Sequence, residues 1–355
     1  MKHLSMLGRV FVLSFNTILL CAAQPLSATE VLDDFDNVRS SFAQWDDRQA
    51  DRSSLMFMKE PKGERIYLLN RIDGAQEHND PGPVCPNDEP LAPSCIVPSA
   101  ASDAGPKCPI AERRNGKVIH QRNELRLRNP QVNFHPADAS HWYSISFKLA
   151  GTEGEEIPSC GSVRWVIAQW KYTEMDCNAN ASPFLAQRFD NGILHVTVED
   201  GVCRCMIASA PGDPYVKTAS RISPFVQLPL PGRLQRVAPL KCLTHDERPC
   251  KPNRLELFAT NPEAMKTLPD PKADWVRMTY FVRADGPSGS QFDVYANDNF
   301  IVRAVGARPE GIRFPNRVKF KFGHYRDKIQ SRADLMVDRV CISRNPKRCG
   351  IMPPP

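Results

Sequence analysis

Beyond its first 28 residues the sequence has no apolar stretch long enough to cross a bilayer, and it shows no internal repeat or heptad pattern. A helical membrane protein, a solenoid and a coiled coil are thereby excluded. Charge of one sign is also missing: 46 Lys and Arg stand against 40 Asp and Glu, a formal net charge of +6. That balance is too mild to indicate a nucleic-acid partner. No histidine stands at ligand spacing from the close pair Cys203 and Cys205, and no calcium loop can be named, so neither metal nor cofactor is expected. No Glu-x-x-Glu or Glu-x-Asp strand signature of a sandwich hydrolase's paired carboxylates stands out either. Glu199 and Asp200 are sequence neighbours, which a strand would point to opposite sides.

What is present begins with an address. Lys2 and Arg9 precede an apolar run from Val10 to Leu20, followed by small residues at Ala22, Ala23, Ser27 and Ala28. This is the three-part pattern of a secretory signal, with cleavage expected after Ala23 or Ala28 and a secreted or periplasmic product. Leu20 before Cys21 is a poor fit to lipoprotein processing. Eleven of the twelve cysteines lie beyond this segment, consistent with an oxidising compartment. The short spacings favour the pairings Cys242–Cys250 and Cys341–Cys349, while Cys203 and Cys205 are expected to bond different partners.

Proline marks two long stretches: residues 81–110 hold eight of the 32 and residues 211–272 hold eleven. Because proline removes a ladder donor, both read as disulfide-tied insertions in one domain over 29–345, with 346–355 as a tail. Elsewhere the apolar period is two. Val276, Met278, Tyr280 and Val282 alternate with Arg277, Thr279, Phe281 and Arg283, and residues 292–296 and 300–304 flank the turn residues Asn297, Asp298 and Asn299. Further strands are expected at 117–128, 141–149, 162–171, 192–199, 316–325 and 334–342. Many strands without βα alternation predict an all-β fold, a two-sheet antiparallel β-sandwich of jelly-roll type, and a monomer.

Three of these strands carry chemistry. Along the first, Ile119, Leu125 and Leu127 take one face, and His120, Arg122, Glu124 and Arg126 the other. Charges on that second face must meet solvent or a charged ligand, with Glu124 holding the arginines; a solvated Arg-Glu-Arg ladder is the plain alternative. Another strand sets Val318, Phe320 and Phe322 against Arg317, Lys319 and Lys321, with Tyr325 beyond Gly323. A glycine inside a strand points to a bulge or a close approach. The third ends Gln169-Trp170-Lys171, which puts Gln169 and Lys171 on one face.

In chain order, Arg122-Asn123-Glu124-Leu125-Arg126, Gln169-Trp170-Lys171 and Lys321-Phe322-Gly323-His324-Tyr325 resemble the concave-sheet motifs of jelly-roll polysaccharide lyases. That group includes family 7 alginate lyases, heparin lyase I and glucuronan lyases. The resemblance implies β-elimination on an acidic, uronate-containing polysaccharide. Arg122 and Gln169 would neutralise the uronate carboxylate, Tyr325 would supply the acid and in some relatives also the base, and Glu124, Arg126, Lys319 and Lys321 would bind or orient the chain. The family's histidine is Lys171 here. The base is therefore open among Lys171, His120 and Tyr325, and His120 reads equally as a structural histidine. His324 falls on the core-facing phase. A non-catalytic module that binds acidic glycans is the main rival reading, and a glycoside hydrolase the weaker one.

Overall fold

The computed structural model describes, apart from short gaps, residues 30–72, 113–127, 134–151, 164–173, 182–212, 234–308 and 317–350. The signal segment, the 81–110 stretch, residues 213–233 of the 211–272 stretch, and Cys85, Cys95, Cys108, Cys160 and Cys177 lie outside the described residues.

In chain order the strands are β1 (Val31–Asp33), β2 (Trp45–Gln49), β3 (Leu55–Lys59), β4 (Ile66–Ile72), β5 (Arg113–Arg114), β6 (Lys117–Val118), β7 (His120–Leu127), β8 (Phe134–Pro136), β9 (His141–Gly151), β10 (Trp165–Thr173) and β11 (Leu185–Asp190). They continue with β12 (Ile193–Asp200), β13 (Cys203–Ser209), β14 (Gln235–Val237), β15 (Lys241–Leu243), β16 (Glu256–Ala259), β17 (Val276–Arg283), β18 (Gln291–Ala296), β19 (Asn299–Val305), β20 (Arg317–Asp327) and β21 (Ala333–Ser343). One sheet runs β14-β16-β19-β18-β17-β9-β21-β4-β3, with β1 added on β21. The other runs β15-β13-β12-β11-β10-β20-β7-β2, with β8 added on β20. All the pairings are antiparallel, so the architecture is the expected all-β sandwich.

Its core lies between the facing sheets, because strand alternation sends every second side chain inward. Val276, Met278, Tyr280 and Val282 of β17 are all buried, as their period required. They meet an aromatic layer: Trp170 sits 4.6 Å from Tyr280 and 5.0 Å from Phe320 between ring centres. Buried hydroxyls are bonded, Tyr280 donating to Gln187 Oε1 at 2.6 Å and Tyr172 to the Ala284 carbonyl at 2.8 Å. The β18–β19 turn places Asn297 and Asp298 at φ of 46° and 67°, the geometry that matches the twist of a two-residue hairpin.

The disulfides correct one expectation. Cys242 bonds Cys205, its cross-strand partner between β13 and β15, and Cys250 bonds Cys203. The Cys242–Cys250 pairing does not form, because β15 docks on β13 and brings distant thiols together. Cys203 and Cys205 do take different partners, and Cys341–Cys349 forms as its spacing suggested. Two other stretches are more ordered than proline content implied. Residues 235–259 supply edge strands to both sheets, and Pro346–Cys349 forms a 3-10 turn capped by Asn345 and Gly350.

Candidate active site

Three strands far apart in sequence, β10, β20 and β7, are neighbours in the second sheet. Their register aligns the polar phases: Lys321 lies opposite Arg126, Gly323 opposite Glu124, and Tyr325 opposite Arg122. On the other side Gln169 pairs with Lys321 and Lys171 with Lys319. Since Phe320, Phe322, Leu125, Leu127 and Trp170 fill the core, alternation turns this polar set outward onto one face.

Glu124 organises the centre. It is buried, and it engages Arg122 Nε at 3.2 Å and Lys321 Nζ at 3.8 Å through Oε2 while accepting a hydrogen bond from Gln169 Nε2 through Oε1. A carboxylate buried among two cations and an amide fixes three strands in register. Gln169 is itself fully buried, and its Oε1 has no hydrogen-bond partner among the described residues.

Tyr325 stands at one end of the cluster. The Arg122 guanidinium lies 4.6 Å from its ring centre and that of Arg164 4.8 Å, with Arg164 Nη2 donating to the phenol oxygen at 3.3 Å. His120 packs beside the ring at 5.9 Å between centroids, and its Nδ1 is 3.1 Å from Asp327 Oδ1. His120 and Tyr325 are thus brought together, and Arg164 and Asp327 join them without having been read from the sequence. The alternation that marked β20 could have flagged Asp327, two residues beyond Tyr325 on the same face. Arg164 lies just before β10, where no periodicity distinguishes it.

Lys171 and Lys319 face each other at the opposite end. Like charges directly across a ladder disfavour one another. Burial first, and the neighbouring Lys321, Arg122 and Arg164 next, lower the Lys171 ammonium to about 8 against the opposing pull of Glu124. Burial likewise brings Lys319 down to about 7, helped by Lys321, Arg126 and Lys171 and opposed by Glu124. Farther along the sheet, Glu199 projects on the outward phase of β12, since Leu194, Val196 and Val198 point into the core. Burial pushes its carboxyl up to about 7 despite Arg188 and Arg204 nearby. Its neighbour Asp200 does the separate work of accepting the Arg254, Leu255 and Arg308 backbone amides.

The back of β20 is polar as well, which the sequence did not announce. His324 is fully buried; its Nδ1 accepts from Trp165 Nε1 at 3.1 Å, so its Nε2 donates to the Asn70 carbonyl at 3.0 Å. Burial drives its basicity down to about 3, which keeps the ring neutral and makes it a packing residue. Asn70 Nδ2 donates to the Asn123 carbonyl at 2.9 Å, and Arg326 Nε donates to Gln121 Oε1 at 2.9 Å. Among the described residues there is no cluster of His, Cys, Asp and Glu suited to a metal ion, and no helix long and apolar enough to cross a membrane.

A family model described as polysaccharide lyase matches residues 99–340. Similar solved structures include family 7 alginate lyase A1-II′ in complex with substrate, at 14% identity over 85% of this chain and 93% of that one, with a TM-score of 0.42. An endo-β-1,4-glucuronan lyase from the fungus Trichoderma reesei is similar at 10% identity over 84% and 94%, with a TM-score of 0.41. A marine family 7 alginate lyase from Zobellia galactanivorans is similar at 9% identity over 85% and 95%, with a TM-score of 0.32. No relative among curated proteins matches the chain.

Proposed function

The chain belongs to the polysaccharide lyase family, and from that premise we propose that it cleaves an acidic, uronate-containing polysaccharide by β-elimination. The observation that carries this reading is the shared face on which Arg122, Gln169 and Lys171 accompany a tyrosine held between two guanidiniums. The C5 proton of a uronate is weakly acidic, so the carboxylate beside it must be neutralised as negative charge develops. Arg122 and the Gln169 side chain do this, both held in place by Glu124.

Lys171 then takes the C5 proton. Its lowered basicity leaves part of it as a neutral amine near pH 8, and no acidic side chain is ion-paired to it among the described residues. The C5–H electrons form the C4–C5 double bond, the C4–O bond breaks, and the Tyr325 hydroxyl gives its proton to the departing glycosidic oxygen. Proton exchange with solvent restores the Lys171 amine and the Tyr325 phenol, and no water is consumed by the cleavage itself. His120, engaged by Asp327 and Arg164, serves the neighbourhood of Tyr325 rather than C5. Arg126, Lys319 and Lys321 attract the acidic chain. The three disulfides among the described residues fit a secreted or periplasmic enzyme.

The test is direct. Purified protein incubated with alginate, glucuronan and heparin should generate the ultraviolet absorbance of an unsaturated uronate with at least one of them. Tyr325→Phe should abolish that signal while polymer binding stays within about threefold, because the ring and its cation contacts remain. Reducing ends without absorbance would mean hydrolysis, and binding without either product would mean a glycan-binding module.

A further inference from the structure

The contacts of Arg164 converge on Tyr325, Asp327 and His120. Its Nη2 lies 3.3 Å from the phenol oxygen, 3.2 Å from Asp327 Oδ1 and 2.8 Å from His120 Nδ1. Asp327 grips the same residue through the backbone: Oδ2 accepts the Arg164 amide at 3.1 Å, and the Asp327 amide donates to the Arg164 carbonyl at 2.9 Å. A surface arginine commonly keeps many rotamers, and an exposed ion pair contributes little. This one is secured at both ends by a single aspartate and backed by an imidazole, so its guanidinium is fixed before any ligand arrives.

The consequence follows from charge. When Tyr325 releases its proton to the leaving oxygen it becomes a phenolate, and a preorganised donor aimed at that oxygen stabilises the new charge without rearranging. Arg122 lies over the ring face, 4.6 Å from its centre, with Nε beside Glu124 Oε2. We propose that Arg164, locked by Asp327 and backed by His120, is a positioning residue that orients the Tyr325 hydroxyl and stabilises its phenolate during glycosidic-bond cleavage. The proton balance is unchanged: Tyr325 O–H breaks, the leaving O–H forms, and the Arg164 guanidinium stays protonated throughout. This role rests on the elimination reading and deepens it.

The experiment compares wild type with Arg164→Ala, Arg164→Lys, Asp327→Asn and the Arg164→Ala/Asp327→Asn double variant, each checked for fold by circular dichroism and thermal melting. On a polymer that wild type cleaves, Arg164→Ala should lower kcat by about 10²-fold, the scale of one lost oxyanion donor, with KM changed less than about threefold. Arg164→Lys should recover part of the loss, and millimolar guanidinium added to Arg164→Ala should restore part of kcat. The double variant should be scarcely worse than Arg164→Ala, because the aspartate acts through the arginine. If Arg164→Ala does not fold, Asp327→Asn carries the test, with a kcat loss at unchanged KM expected. A folded Arg164→Ala with normal kcat, or one that loses only KM, overturns the positioning role while leaving the elimination reading intact. A wild type inert toward every uronate polymer overturns both.

Discussion

At the scale of single residues, the departure from the family's histidine becomes a pH prediction. Lys171 must be neutral to accept a proton, and burial together with the cations Lys321, Arg122 and Arg164 brings it to about 8 against Glu124. Below that value the folded enzyme holds the ammonium, so kcat/KM should rise tenfold per pH unit and level off above about 8. Lys171→His should move this acidic limb toward the ordinary histidine range near 6.5. If Lys171 were instead a cation that binds the carboxylate, kcat/KM would fall above pH 8, and that profile would remove it as the base. Strand alternation put Arg122, Glu124, Gln169, Lys171 and Tyr325 on polar faces, and the resemblance of the ordered motifs to polysaccharide lyases singled them out. It hid Arg164, whose partners Tyr325 and Asp327 are distant in the chain and reach it only through the β10–β20 ladder.

At the scale of elements, β20 carries the tightest constraint. Gly323 has φ of +124°, and a Cβ there would stand 2.2 Å from the Asn123 carbonyl oxygen and 2.9 Å from Asn70 Nδ2. The glycine read as a bulge or a close approach is both: on the β10 side Gly323 and His324 stand against Ile167 alone, and on the other side the β7 carbonyl and the Asn70 bond crowd its Cα. Gly323→Ala should cost more than about 1 kcal/mol, through both the clash and the positive φ. Chemical denaturation would check this, and an unchanged midpoint would refute it. Strands with clean alternation were legible to within a few residues: β9, β10, β12, β17, β18, β19, β20 and β21 all fall where the period of two placed them. β1 to β4 and β13 to β16 were not, because they are short or lie in stretches where cysteine and proline obscure the alternation. Proline in the β14–β16 region is tolerated because Pro239, Pro249 and Pro252 stand in the connections, outside all three strands, where no ladder donor is lost.

For the molecule as a whole, the cationic face sets stability against function. An unfolded chain holds the Lys319 and Lys171 protons up to about 10.5, whereas the folded protein releases them near about 7 and about 8. Between those limits the unfolded state binds more protons, so these two groups make stability rise with pH. The raised carboxyl of Glu199 acts with the opposite sign from about 4.5 to about 7. Lys319→Met should accordingly raise the melting temperature at pH 7 and lose most of that advantage by pH 10; a gain that does not vary with pH would contradict the account. The sequence by itself determined the all-β class, the two-faced strands and the ordered motifs, since these depend on local period and composition. Only the tertiary structure decided which partners Cys203, Cys205, Cys242 and Cys250 take, which strands lie side by side and that Arg164 meets Tyr325. Those are contacts between segments far apart in the chain, fixed by register and sheet order rather than by any local pattern.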